Sequence, residues 1–233
     1  MNDKIDGFVL SQSDYKENDI LMQVMTKEYG LISLVAKAAK KLNSKNHFLP
    51  LCLYEFIIDY KEGKSIFTIH NYKLLEKYFE EKDIEMMSFK NVIADLCLKN
   101  REIDSYDQLL FSFRKMRPDN RYLLGSMYVS YLIRQFGITP EVDRCVLCDS
   151  SKVVAISNKH GGFLCHRHLN GHEILSVERL KKFRMIIKAD MNNYDILSKF
   201  PYDFRDFDLL MSFFMENADL KIRSYDLYLT LNK

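Results

Sequence analysis

Ile20-Leu21-Met22-Gln23-Val24-Met25 and Leu31-Ile32-Ser33-Leu34-Val35 stand on either side of a turn, Glu28-Tyr29-Gly30. Each run is short and largely apolar, and Gly30 sits where a backbone of positive φ belongs, so the pair reads as a β-hairpin. Upstream, residues 5–10 read as a strand, followed by a polar stretch over 11–19. Downstream, residues 51–60 and 65–69 flank a second turn, Lys61-Glu62-Gly63-Lys64. Five strands joined mostly by short turns are the number that closes a small barrel.

From Tyr78 onward the period becomes helical. Ile84, Met87, Val92 and Leu96 fall broadly along one helical face. Pro118 stands near the start of a long apolar segment over 122–136, and Gly137 follows where a C-terminal cap belongs. Ser176 can cap a helix in which Leu180, Phe183 and Ile187 share a face, with Leu175 and Leu180 placed as a hydrophobic staple. Phe204, Phe207, Met211, Phe214 and Ala218 form a last periodic stripe, which we read as helix core. The expected fold class is α+β, a five-stranded barrel followed by an all-helical domain that carries a metal knuckle. The boundaries we assign are 1–80 for the barrel, 81–143 and 173–233 for the two parts of the helical domain, and 144–172 for the knuckle.

With 47% hydrophobic and 28% charged residues, the 233-residue chain has enough apolar surface to offset chain entropy, which excludes intrinsic disorder. A net charge of only +2 means that any polyanion site must be local. Two basic islands exist: residues 29–54 hold four Lys and no acid, and residues 144–172 hold four basic side chains and one acid. No apolar leader follows Met1, and no run of about 18 apolar residues occurs, so neither export nor a membrane span is expected. Five cysteines, three of them clustered with histidine, read as metal ligation rather than disulfides, and the expected compartment is the cytoplasm.

The strongest chemical signal is Cys145-Val146-Leu147-Cys148, sixteen residues, then Cys165-His166-Arg167-His168. Each C-x2-C-type pair supplies two corners of a tetrahedron from one turn, and imidazole serves zinc as well as thiolate does. A redox dithiol would sit on a βαβ pattern, which is absent. The ligand set read here is Cys145, Cys148, Cys165 and His168, one structural Zn2+ per chain. His166, His172 and the more distant His160 remain alternatives for the fourth corner. With four protein ligands no position stays open for a catalytic water.

The second signal is Lys37-Ala38-Ala39-Lys40-Lys41-Leu42-Asn43-Ser44-Lys45. On a barrel rim Lys37, Lys40, Lys41 and Lys45 can track phosphates, and Tyr29, Phe48 and Tyr54 could offer faces for base stacking. The bland alternative is a solvated loop. A third cluster, Arg114, Lys115, Arg117 and Arg121, lies ahead of the long helix, where cations gain nothing from the helix dipole. Taken alone, Arg114, Lys115 and Arg121 read as a solvated helix start. No phosphate loop, H-E-x-x-H or G-x-S-x-G occurs, so no catalytic residue is assigned and no enzyme is expected. Cys52 and Cys97 lie among apolar neighbours and read as core.

These elements, in this order, resemble the RecO family of bacterial recombination mediators. The resemblance runs through Gly7-Phe8-Val9-Leu10, Asp14-Tyr15-Lys16-Glu17, Met25-Thr26-Lys27-Glu28-Tyr29-Gly30 and Ala36-Lys37-Ala38-Ala39-Lys40-Lys41. It resumes at Phe136-Gly137-Ile138-Thr139-Pro140 and continues through Cys145-x-x-Cys148 to Gly161-Gly162-Phe163-Leu164-Cys165. It implies that the barrel is an OB-fold, with a helical C-terminal domain and a zinc module. It further implies binding to single- and double-stranded DNA, annealing of complementary strands, and cooperation with RecR to load RecA onto SSB-coated DNA, near the bacterial nucleoid. Ala38 stands where many members carry Gly, and His168 where zinc-bearing members commonly carry a fourth Cys. The alternatives are an RNA-binding or regulatory protein on the same scaffold and, more remotely, a metal-dependent hydrolase.

Overall fold

The computed structural model describes residues 2–41, 48–79 and 83–231. Five strands, β1 (Asn2–Tyr15), β2 (Asp19–Thr26), β3 (Gly30–Ala36), β4 (Cys52–Asp59) and β5 (Ile66–Lys77), close in the order β1-β2-β3-β5-β4. All neighbours are antiparallel except β3 and β5, which run parallel. This is the five-stranded Greek-key barrel of the OB type. The hairpin read from the sequence is β2–β3, with Thr26 opposite Gly30 and Gly30 at φ +62°.

β1 is longer than its apolar run suggests. Its polar second half, Ser11 to Tyr15, pairs with β2 beyond a bulge between Val9 and Ser11, because the strand must leave β4 while keeping β2. β5 likewise continues past Ile69 with mostly exposed side chains, held by its ladder to β4. The barrel is filled by alternate residues, among them Val9, Val24, Leu34, Tyr54, Phe56 and Ile58. At Gly7 an added Cβ would fall inside the Val24 side chain, so the strand needs the missing methyl to lie that close.

Within the compact unit formed by residues 1–114 and 222–233, three helices accompany the barrel: α1 (Ile84–Lys99), α2 (Tyr106–Lys115, all but its last residue) and α7 (Arg223–Leu231). Phe8 of β1 points away from the barrel core, stacking on Tyr78 and meeting Phe113 of α2 edge-on. α1 buries Phe89, Val92, Ile93 and Leu96, whereas Ile84 is exposed. The face read from Ile84 and Met87 is therefore rotated from the one actually packed. Cys52 and Cys97 are core residues, as expected.

The second unit, Lys115–Lys221, contains α3 (Arg121–Gln135), the hairpin β6 (Val153–Ser157) and β7 (Gly162–Cys165), α4 (Val177–Lys188), the short α5 (Tyr194–Leu197) and α6 (Phe204–Asn217). α3 ends in a Schellman cap. Gly137, at φ +68°, donates to Arg134 O, and Ile138 donates to Ile133 O. Ser176 Oγ accepts from the Arg179 N–H, so α4 has the N-cap read from the sequence. Phe207, Met211 and Phe214 of α6 are fully buried, the core stripe anticipated. Arg134 of α3 donates to the carbonyl of Ile187 in the last turn of α4, where a cation also meets the negative helix end. The β6–β7 hairpin has no counterpart in the sequence reading. Among the described residues no helix is long and apolar enough to cross a membrane.

Candidate functional site

A cluster of Cys and His side chains that could hold a metal ion forms around the β6–β7 hairpin and the turn before it. Cys145 and Cys148 flank a turn closed by Cys148 N–H to Cys145 O and Asp149 N–H to Cys145 O, with Asp149 in the left-handed region at φ +57°. Cys165 ends β7, and the single 3-10 turn His166–His168 brings His168 back toward it. The hairpin turns at Gly161, φ +70°. Its neighbour Gly162 is glycine for another reason: a Cβ there would run into the Glu141 backbone, which bridges to this strand.

One ligand atom from each of Cys145, Cys148, Cys165 and His168 lies within 4.8 Å of all the others. The His168 Nδ1 is 3.5 Å from both Cys145 Sγ and Cys165 Sγ, and Cys148 Sγ is 3.6 Å from Cys165 Sγ. Bond lengths of about 2.3 Å to sulfur and 2.0–2.1 Å to nitrogen put tetrahedral edges near ~3.8 Å (S···S) and ~3.6 Å (S···N), so the donor set fits such an ion. Burial pushes the Cys145 thiol up, but the Leu147 and Cys165 backbone N–H groups, with His168 and Cys165 side chains, outweigh it and hold it at about 6. The deprotonated, anionic thiolate is the form a metal takes. A Cys3His cluster that could hold a metal ion is thus assembled from the residues the spacing singled out.

The lysine loop follows β3. Ala38 stands at φ +55°, its N–H donating to Asp19 Oδ1, and the Lys40 N–H donates to Asn18 O. The loop is therefore seated on the β1–β2 turn. Lys40 Nζ is 2.6 Å from Asp14 Oδ2, so that cation is partly neutralised in place. Lys41 is exposed and has no acidic partner among the described residues. Lys45 lies outside the described residues. Sequence reasoning missed Asp14, Asn18 and Asp19 as the loop's supports, since nothing local links residues some twenty positions apart.

Of the three aromatic faces expected for stacking, two are corrected. Phe48 and Tyr54 are 4% and 2% exposed and pack with Phe56 and Tyr72 in the barrel, where no base can reach them. Tyr29 instead stacks on Tyr60 at 4.1 Å between centroids, and Tyr60 on Phe67. That stack joins the β2–β3 turn to the segment after β4. The third basic cluster is largely engaged within its own units. Arg114 forks onto Glu76, Lys115 lies 4.6 Å over the Tyr194 ring, and Arg121 donates to Pro118 O and Tyr122 Oη.

Residues 1–78 match the family model described as Recombination protein O N terminal. A protein of Halalkalibacterium halodurans named DNA repair protein RecO is 29% identical over 174 residues, 70% of this chain and 68% of that protein. A namesake in Listeria welshimeri is 25% identical over 173 residues, 71% of this chain and 68% of the relative. A third, from Exiguobacterium sibiricum, is 24% identical over 238 residues and covers 96% of this chain and 95% of its own. The resemblance read from the motifs thus extends along the chain.

Proposed function

We propose that this chain, a relative of the RecO proteins, is a non-enzymatic mediator of DNA repair and recombination. It binds single- and double-stranded DNA, anneals complementary strands and, with RecR, helps load RecA onto SSB-coated DNA in the cytoplasm. The observation that carries the reading is the closed barrel with its acid-free lysine loop seated on the β1–β2 turn. In OB-folds the strand 2–3 face and the adjoining loops are where oligonucleotides lie. Lys37, Lys40, Lys41 and Lys45 are the phosphate contacts in this reading. Cys145, Cys148, Cys165 and His168 would hold a zinc ion that supplies folding energy and no turnover, all four corners being protein. Arg114, Lys115 and Arg121 are secondary contacts for DNA or for the acidic tail of SSB.

The test is annealing of complementary SSB-coated strands, with and without RecR. Annealing stimulated by the protein supports the mediator, whereas RNA binding without annealing would favour the regulatory alternative. Fluorescence anisotropy over a salt series locates the site. Replacing Lys40 and Lys41 with Ala should lower the salt slope by about one to two, at roughly 0.7–0.9 per lost contact. Asp14→Asn should act the opposite way, because it removes the carboxylate that holds Lys40. Unchanged affinity in both variants would leave the loop a solvated turn.

A further inference from the structure

Several cations of this protein are already answered by an acid among the described residues. Lys40 has Asp14, Arg114 has Glu76, and Arg184 and Lys188 share Asp143. Even on the metal knuckle Arg144 lies 3.6 Å from Asp149, the one acid of the segment. Lys152 and Arg167 are different. Both are exposed, and among the described residues neither has an acidic partner. They converge on one concavity of about 360 Å³, lined by Cys148, Ser150, Lys152, Cys165, His166 and Arg167.

We propose that this concavity is a phosphate-binding site that holds one backbone phosphate of a nucleic acid, a second anchor separate from the lysine loop. The proposal rests on the reading of the chain as a DNA-binding protein. Its lining offers an ammonium, a guanidinium fork, a hydroxyl and the His166 imidazole, the donors that recognise phosphate oxygens, and no Leu, Ile, Val, Met, Phe, Tyr or Trp. An acidic peptide docking by side-chain burial would need an apolar floor, which this lining lacks. The size, at the small end of ligand cavities of about 300–1,000 Å³, suits a single anionic group better than a stacked base. A divalent ion on three thiolates and one imidazole would leave one net negative charge, which Lys152 and Arg167 together exceed. The β6–β7 hairpin fixes both cations, since Lys152 immediately precedes β6 and Arg167 follows β7 by two positions.

The experiment measures anisotropy of a labelled oligonucleotide on the full chain, wild type against Lys152→Ala/Arg167→Ala, over a salt series, with zinc content and thermal midpoint in parallel. The double variant should lose about 0.7–0.9 from the salt slope, the share of one phosphate, with metal and midpoint unchanged. Should Arg167→Ala disturb the knuckle, Lys152→Ala alone should weaken binding and lower the slope by part of that amount, while Arg167→Lys keeps the slope. Wild-type slope and affinity in the double variant would overturn this site and leave the DNA-binding reading standing. A wild type that binds no DNA at any salt would overturn both. A competition arm fixes the ligand: displacement by poly-glutamate more readily than by an unlabelled oligonucleotide of equal charge, lost in the double variant, would assign the cavity to acidic peptides and overturn the nucleic-acid assignment.

Discussion

Ala38 carries the clearest mark of strain in the lysine loop. A non-glycine residue in the left-handed region costs roughly 1–2 kcal/mol, partly offset because alanine is less free than glycine when unfolded. Ala38→Gly should therefore raise stability by about 0.5–1 kcal/mol, read as a higher denaturant midpoint, and a lower midpoint would mean the turn has another shape in solution. At the knuckle the zinc proposed for the Cys3His cluster sets a test: Cys148→Ser should lose it and lower the thermal midpoint, because the binding energy of such an ion is folding energy. His168→Cys should keep the metal. If His168→Ala kept it with undiminished affinity, the fourth corner would pass to His166 or His172. The clustering of Cys145, Cys148, Cys165 and His168 was legible because a turn of fixed geometry dictates C-x2-C spacing. The seating of Ala38 and Lys40 on Asp19 and Asn18 was not, because it is made between the paired strands β2 and β3 at their open end rather than along the chain.

Between elements, α4 and α6 are tied by a buried ionic cluster. Lys182 Nζ is 2.5 Å from Asp206 Oδ2, both side chains almost wholly buried, and Arg179 bridges Asp206 to Asp203 at 2.6 and 2.8 Å. Asp206→Ala would strand the Lys182 charge inside the unit and should cost about 3–5 kcal/mol. The same cluster makes stability acid-sensitive. Arg179 holds the Asp203 carboxyl well below the usual range, so its contribution is whole above the ordinary Asp value of about 3.9 and drains away as pH falls below it. Thermal midpoints between pH 6 and 2.5 should fall more steeply in wild type than in Asp203→Asn. The elements most legible from sequence were those with local grammar: the β2–β3 hairpin at Gly30, the Gly137 cap and the Ser176 cap. The polar half of β1 and most of β5 were hidden because their side chains face water, so alternation gave no apolar signal. The β6–β7 hairpin was hidden because four- and five-residue strands barely show a period.

At the scale of the molecule, one compact unit is discontinuous. It gathers residues 1–114 and takes back 222–233. α7 returns to α1, where Tyr228 meets Phe89 edge-on and Ser224 Oγ donates to Asp95 at 2.9 Å. Tyr225→Ala and Tyr228→Ala, which empty fully buried sites, should each cost about 3–5 kcal/mol, and denaturation followed at the barrel should register it although the changes lie more than a hundred residues away. Timing follows from this connectivity. A ribosome adding about 5–20 residues per second takes some 5–20 s to pass from Lys115 to Lys221. For that interval α1 has been made while the helix that covers it does not yet exist, and its apolar face is open to solvent and to holdases. The middle segment can finish folding first, and the unit begun earliest is completed last.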